Sequence, residues 1–265
     1  MRAHVPVISG ALAIVLAAAV PVGAKDLTLR YRITTSGVLA STQEFAQYWA
    51  GNRIVNDGRG SRALFDLDAE TMTMVDKRQK SYYTQTFTEL QQQANMMAAE
   101  AQRQAERLPP EQRAIRVKSS VSVKPSGKSE KIAGYMAKEY VFEGGGVSGA
   151  IWSTEALQAP GGAKARVAFS RMMGVAAPGV YVGQAITQVP GVPLRTTYRT
   201  GTGGQALRTT TEVIAVGTQA PAADVITVPE GFARVDSPFD RMNAARKGVG
   251  HDPASGVHGT TPAPQ

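Results

Sequence analysis

The stretch from Ser61 to Tyr83, SRALFDLDAETMTMVDKRQKSYY, constrains the fold more than any other part of the chain. Ala63, Phe65 and Leu67 alternate with Leu64, Asp66 and Asp68. Met72, Met74 and Asp76 alternate with Thr71, Thr73 and Val75. Successive side chains on a strand point to opposite faces, so a period of two calls for strands. Ala69-Glu70 can turn the chain, and Asp76 to Lys80 is a polar turn before a third strand at Ser81 to Gln85. No residue in this stretch is of a type and placement suited to catalysis.

The same period recurs elsewhere. Leu27, Leu29, Tyr31 and Ile33 share one face of a strand over Lys25 to Thr35. Thr42 to Ala50 and Arg53 to Val55 are further strands, separated at Gly51-Asn52 and ended at Asp57-Gly58. Ile115 to Val123 alternates as a long strand, and Pro125-Ser126-Gly127 then predicts a turn. Short strands follow at Lys131 to Ala133, Lys138 to Glu143 and Val147 to Trp152. Leu194 to Thr200 and Gln205 to Val216 form a hairpin, and Val225 to Val228 and Phe232 to Val235 finish the folded part.

One segment changes period. Phe87, Leu90, Ala94, Met97, Ala101, Ala105 and Leu108 recur at three and four residues, which predicts a helix. Thr86 and Glu89 have capping-box spacing at its start, and Pro109-Pro110 stops it. Ser153 to Leu157 reads as a short helical start, and Ala165 to Met173 as a second, weaker helix. Val180 to Val189 fits helix or strand equally. Many antiparallel strands, one strong helix and no βαβ rhythm give an α+β fold with one large sheet. The helix is expected to cover a face of that sheet, because its apolar stripe needs burial.

Residues 1–24 read as an export signal. Arg2 precedes an apolar run from Val5 to Val20, and Val22-Gly23-Ala24 supplies small residues for cleavage. Periplasmic location is the expectation. Residues 25–237 then form one domain. From Pro238 large apolar residues nearly vanish, so 238–265 is expected to be a disordered tail, apart from a helical turn at Phe239 to Ala245. The chain has no cysteine, which excludes disulfides, thiol nucleophiles and Cys-ligated metal. Its formal net charge of +8 suits contact with an anionic membrane surface. An exported chain rarely meets nucleic acid, so none is expected as a partner.

The order of motifs resembles a family of uncharacterised secreted bacterial proteins. The residues that carry the likeness are LFDLDAETMTMVDKRQKSYY, then KSEKIAGYMAKEYVFEG, IWSTEAL, GVPLRTTYRTG and DVITVPEGFARVDSP. That family is similar in fold to the outer-membrane lipoprotein carrier LolA. The resemblance covers roughly Lys25 to Pro238. It implies a curved antiparallel sheet, an incomplete barrel, whose concave face is covered by helices and whose cavity holds acyl chains in relatives. The chain departs from the family pattern in its extended Ala/Met/Gln helix and its longer glycine-rich tail.

The chemical constellations mostly have simpler readings. His4 lies in the presumed signal, and His251 and His258 lie in the tail, so the folded body cannot assemble a His-dependent triad or metal site. A non-enzymatic role without cofactor or metal is expected. Asp66, Asp68 and Glu70 could suggest a calcium site or an acid/base pair, but their spacing lacks the rest of a calcium loop, and Asp is favoured where a strand enters a turn. Gly144 to Gly149 matches G-x-G-x-x-G in form, yet Ala150-Ile151-Trp152 continues as strand rather than helix, which favours a hairpin. The methionines, Met72, Met74, Met96 and Met97 among them, admit three readings: core filler, a deformable lining for lipid, or a soft Cu(I) site. Scattered lysines and arginines read as a solvated face with edge protection. The leading expectation is a protein that binds a lipid or acyl chain in a half-barrel cavity, lined by Phe87, Leu90, Met97, Met172 and Met173. The alternative is a structural or sensory envelope protein whose cavity is filled by its own helix and which acts on a protein partner.

Overall fold

The computed structural model describes residues 26–37, 40–107, 120–160, 179–200 and 206–249. Six strands come first: β1 (Asp26–Ser36), β2 (Ser41–Ala50), β3 (Arg53–Asp57), β4 (Ser61–Asp66), β5 (Thr71–Asp76) and β6 (Ser81–Thr86). Helix α1 (Phe87–Glu106) is followed by β7 (Ser122–Ile132), β8 (Tyr135–Gly144) and β9 (Val147–Thr154). Helix α2 (Gly179–Gln188), β10 (Val192–Thr200), β11 (Leu207–Gly217), β12 (Ala233–Arg234) and α3 (Pro238–Val249) are the remaining elements among the described residues.

All twelve strands belong to one curved sheet in the order β12-β6-β5-β4-β3-β2-β1-β11-β10-β9-β8-β7. The ends of that order are different strands that do not pair, so the sheet is not closed. Every pairing is antiparallel except β12 on β6. Strand β1 sits in the middle, paired with β2 on one side and β11 on the other. Its alternation is that of the sequence: Leu27, Leu29 and Tyr31 are buried, and Arg30 and Arg32 are exposed.

Turn chemistry sets the register of β4, β5 and β6. Asp66 closes β4 and its Oδ1 accepts the backbone N–H groups of Asp68 and Ala69 at 3.1 and 2.9 Å. Asp76 does the same after β5, accepting from Arg78 and Gln79 at 2.8 and 2.9 Å. An aspartate that bonds the backbone two and three residues on holds a tight turn. Each turn ends on a left-handed residue, Glu70 at φ 51° and Lys80 at φ 50°.

A first apolar cluster joins Leu27, Leu29, Trp49, Phe65, Met72 and Phe87 with residues of the far strands such as Ile132 and Leu194. A second is built from Phe142, Val147 and Ile151 of the sheet with Val182, Ala185 and Ile186 of α2. Ser153 to Leu157, read as a helical start, instead ends β9 and bends, with Thr154 Oγ1 accepting the Ala156 N–H at 3.3 Å.

Three further expectations change. Pro125-Ser126-Gly127 does not end a strand: β7 runs through it, with a register shift against β8 between Pro125 and Ser129. Strand β7 is at the edge of the sheet, where proline beside a bulge is tolerated. Val225 to Val228 is not a strand but turn and loop. Residues 238–265, expected as a disordered tail with one helical turn, begin with the twelve-residue helix α3. Its capping box was in the sequence: the Asp240 N–H donates to Ser237 Oγ at 3.1 Å and the Ser237 N–H to Asp240 Oδ2 at 3.0 Å, with Pro238 at the first helical position. Residues 1–25 and 250–265 lie outside the described residues. Among those described, no helix is long and apolar enough to cross a membrane.

Candidate ligand cleft

Helix α1 starts as its sequence requires. The Glu89 N–H donates to Thr86 Oγ1 at 3.1 Å, and Glu89 Oε2 accepts the Thr86 N–H at 2.7 Å. Phe87 is buried in the first core cluster and Leu90 packs at its margin. Further along, Ala99, Glu100, Arg103, Gln104 and Glu106 are exposed. These exposed positions form the polar face of the helix, and of its apolar stripe Phe87 and Leu90 are anchored in the core and Ala94 is half-buried.

Helix α2 does cover sheet. Val182 and Ala185 are fully buried and Ile186 nearly so, against Phe142, Val147 and Ile151. Tyr181 lies over the β8–β9 turn. A Cβ at Gly145, which has φ +58°, would stand 2.1 Å from the Tyr181 ring. Glycine at this position therefore serves both the turn and the seating of the helix.

Where α2 ends, a cleft of about 400 Å³ opens. Its floor is Tyr31, Gln47 and Trp49 on β1 and β2. One wall is the bend at Glu155, Leu157, Gln158 and Ala159, and the other is Ile186 with the segment Pro190 to Pro193. The two walls are fastened together. Ser153 Oγ donates to the Pro190 carbonyl at 2.5 Å. A Cβ at Gly191 (φ +79°) would fall 2.1 Å from the Thr154 carbonyl oxygen, so only glycine permits that approach.

The floor has a polar centre. Gln47 is 1% exposed. Its Oε1 accepts the Trp49 indole N–H at 3.0 Å and the Tyr31 hydroxyl at 3.3 Å, and its Nε2 donates to Asn56 Oδ1 at 2.8 Å. Burial pushes the Tyr31 phenol far up, so the group remains a neutral hydroxyl. The rim carries one ion pair, Lys138 with Glu155 at 3.4 Å.

The five residues expected to line a cavity fall in different places. Phe87 and Leu90 belong to the core beneath α1 and not to this cleft. Met97 is on α1, and nothing of its side chain is described. Met172 and Met173, with the helix expected around them, lie outside the described residues. The cleft residues were not singled out from sequence. Gln47 was the available signal, a polar residue between Phe45 and Trp49 on the apolar face of a strand.

Other candidates take structural places. Asp68 accepts the Asn52 side-chain amide on both oxygens at 2.9 Å, and Asp66 pairs with Arg53 at 3.5 Å besides holding its turn. Gly144 to Gly149 forms the β8–β9 hairpin, with φ of 58° and 75° at Gly145 and Gly146, and leads into a strand. Met72 is buried in the first core cluster and Met74 packs against it, which makes them core filler. Lys124, Lys128 and Lys131 lie on the edge strand β7.

No protein-family model matches the sequence, and no curated protein matches it. Solved structures similar to the chain include PNGF-II, with 10% identity and a TM-score of 0.41 over 82% of this chain and 32% of that one. The chain thus spans about a third of the length of PNGF-II. They also include a LolA superfamily protein from Nitrosomonas europaea, at 7% identity and TM-score 0.31, covering 77% of this chain and 90% of that one. A DUF1329 family protein from Desulfovibrio piger has 8% identity and TM-score 0.28 over the same shares.

Proposed function

We propose that this chain is a non-catalytic, exported protein that holds a single hydrophobic ligand, a lipid or acyl chain, in the cleft between the β1–β2 floor and the end of α2. The observation that carries the reading is the cleft itself. It is of ligand-pocket size, walled by Leu157, Ile186, Val192 and Pro193, and has few polar groups at its floor. Burying ten methylenes there would contribute about 8 kcal/mol before the cost of association. The apolar leader supports export. The lack of cysteine, and of histidine outside positions 4, 251 and 258, supports a holding role over a chemical one.

Native mass spectrometry of protein purified gently from a cell-envelope fraction tests this. The expected spectrum shows one added mass of lipid size, absent from an Ala159→Trp variant that plugs the cleft. Protein that always runs at bare polypeptide mass, and gains none with added lipid, overturns the reading. A second reading, action on a protein partner, rests on the face of α1 exposed at Ala99, Glu100, Arg103, Gln104 and Glu106. Crosslinking from Ala99, with capture of a partner by plugged and unplugged protein alike, would favour it.

A further inference from the structure

We infer that the cleft selects a single-chain amphiphile whose head is uncharged and donates a hydrogen bond, such as a hydroxyl or primary amide, over the carboxylate of equal chain length. The inference rests on the proposed apolar ligand and concerns its other end.

Hydrogen-bond directions on the floor are fixed by chemistry. The Trp49 indole can only donate, so the oxygen of Gln47 must face it and the nitrogen must face Asn56 Oδ1. The Tyr31 hydroxyl approaches that same Gln47 oxygen, so it too donates. This leaves the Tyr31 oxygen as an acceptor and the second Gln47 N–H as a donor. A hydroxyl or primary amide can use both. A carboxylate can use only the N–H, unless Tyr31 gives up its bond to Gln47.

Charge works in the same direction. Among the described residues of the lining there is no lysine, arginine or histidine, and Glu155 is the carboxylate at the rim. Lys138 pairs with Glu155, and the side chains of both are mostly exposed. An anionic head would lose its water without gaining a counter-ion and would face a like charge.

The test uses the purified full chain, stripped of lipid, with 1-dodecanol, dodecanamide and sodium dodecanoate at pH 8 as probes. Affinities come from native mass spectrometry with all three in competition, and from the change in tryptophan fluorescence, since Trp49 is on the floor. The alcohol and amide are expected to bind at least about tenfold more tightly than the carboxylate. Any apolar cleft disfavours a carboxylate, so the variants decide. Glu155→Lys, an exposed position, is expected to raise dodecanoate affinity and reverse the order, with its unfolding midpoint unchanged. Tyr31→Phe is expected to remove most of the alcohol's advantage. Dodecanoate binding as well as the alcohol, or an order that Glu155→Lys leaves untouched, overturns the inference while apolar binding stands. Failure of all three probes to bind removes the proposed function and this inference together.

Discussion

The two helices α1 and α2 announce themselves unequally in sequence. Helix α1 has an apolar repeat at three and four residues, a capping box and a proline stop, and among its described side chains Phe87 is buried, Ala94 and Met96 are half-buried and those from Ala99 on are exposed. Helix α2 has no capping signal and no acidic or basic end, yet Val182 and Ala185 are wholly enclosed. Periodicity reports whether a segment can be a helix. The apolar area its stripe carries decides whether it is buried. Alanine repeats well and carries little apolar area, whereas valine and isoleucine leave the period ambiguous and bury much.

Substitutions can break that contrast, and the largest effect is expected at α2. Val182→Asp places an unpaired charge where no solvent reaches, and should cost about 3–5 kcal/mol in urea unfolding. Ala99→Asp on α1 is the matched change. It should cost under about 0.5 kcal/mol, and a loss as large as that of Val182→Asp would show that this face of α1 is buried too. Gly145→Ala should cost about 1–3 kcal/mol, since it strains the turn and collides with the Tyr181 ring; Tyr181→Ala in the same background should recover part of the loss. Thr86→Ala should cost about 1 kcal/mol, read as lost helical circular dichroism without release of the sheet core.

Acid should discriminate least. Burial pushes Asp57 up, but hydrogen bonds and charge from Arg62 and Lys77 outweigh it and hold the carboxyl below its ordinary value. Hydrogen bonds from Arg195, with its charge, hold Glu130 below its own. A carboxyl depressed in the folded state stabilises at pH values above its unfolded pKa. That contribution fades as pH falls through the folded value. Asp57 fastens strands on the α1 side and Glu130 strands on the α2 side, so hydrogen exchange should show both loosening together below the ordinary carboxylate range. Release of one side alone would mean that charge, not apolar area, separates them.

The meander β1 to β6 was legible because each strand buries one face and its turns announce themselves with Asp, Asn or Gly. Strand β7 was read as ending at Pro125 because a proline turn and a proline bulge look alike until the strand is known to be at an edge. Helix α2 could not be resolved because Val180 to Val189 is apolar at either period. The cleft was not legible at all. Its floor comes from β1 and β2, one wall from the bend after β9 and the other from the end of α2, and no local pattern records that these meet. Only Gln47 carried a trace, as a polar residue on an apolar face, and its meaning depended on Trp49, Tyr31 and Asn56 being within reach.

The place of β1 at the middle of the sheet also sets a time order. Thr28 pairs with Tyr48 on one side and with Gly217 on the other, so the first described strand waits for nearly the last. Hairpins among β2 to β6 close short loops and can form while the chain is still growing, whereas the β1–β11 seam closes almost the whole of it. A nascent chain that stops before β11 therefore keeps one edge of β1 open, with its backbone N–H and C=O groups free to pair with a neighbour. Synthesis past Gly217 is the event that retires this hazard, and the slow phase of refolding should be the joining of β1 to β11.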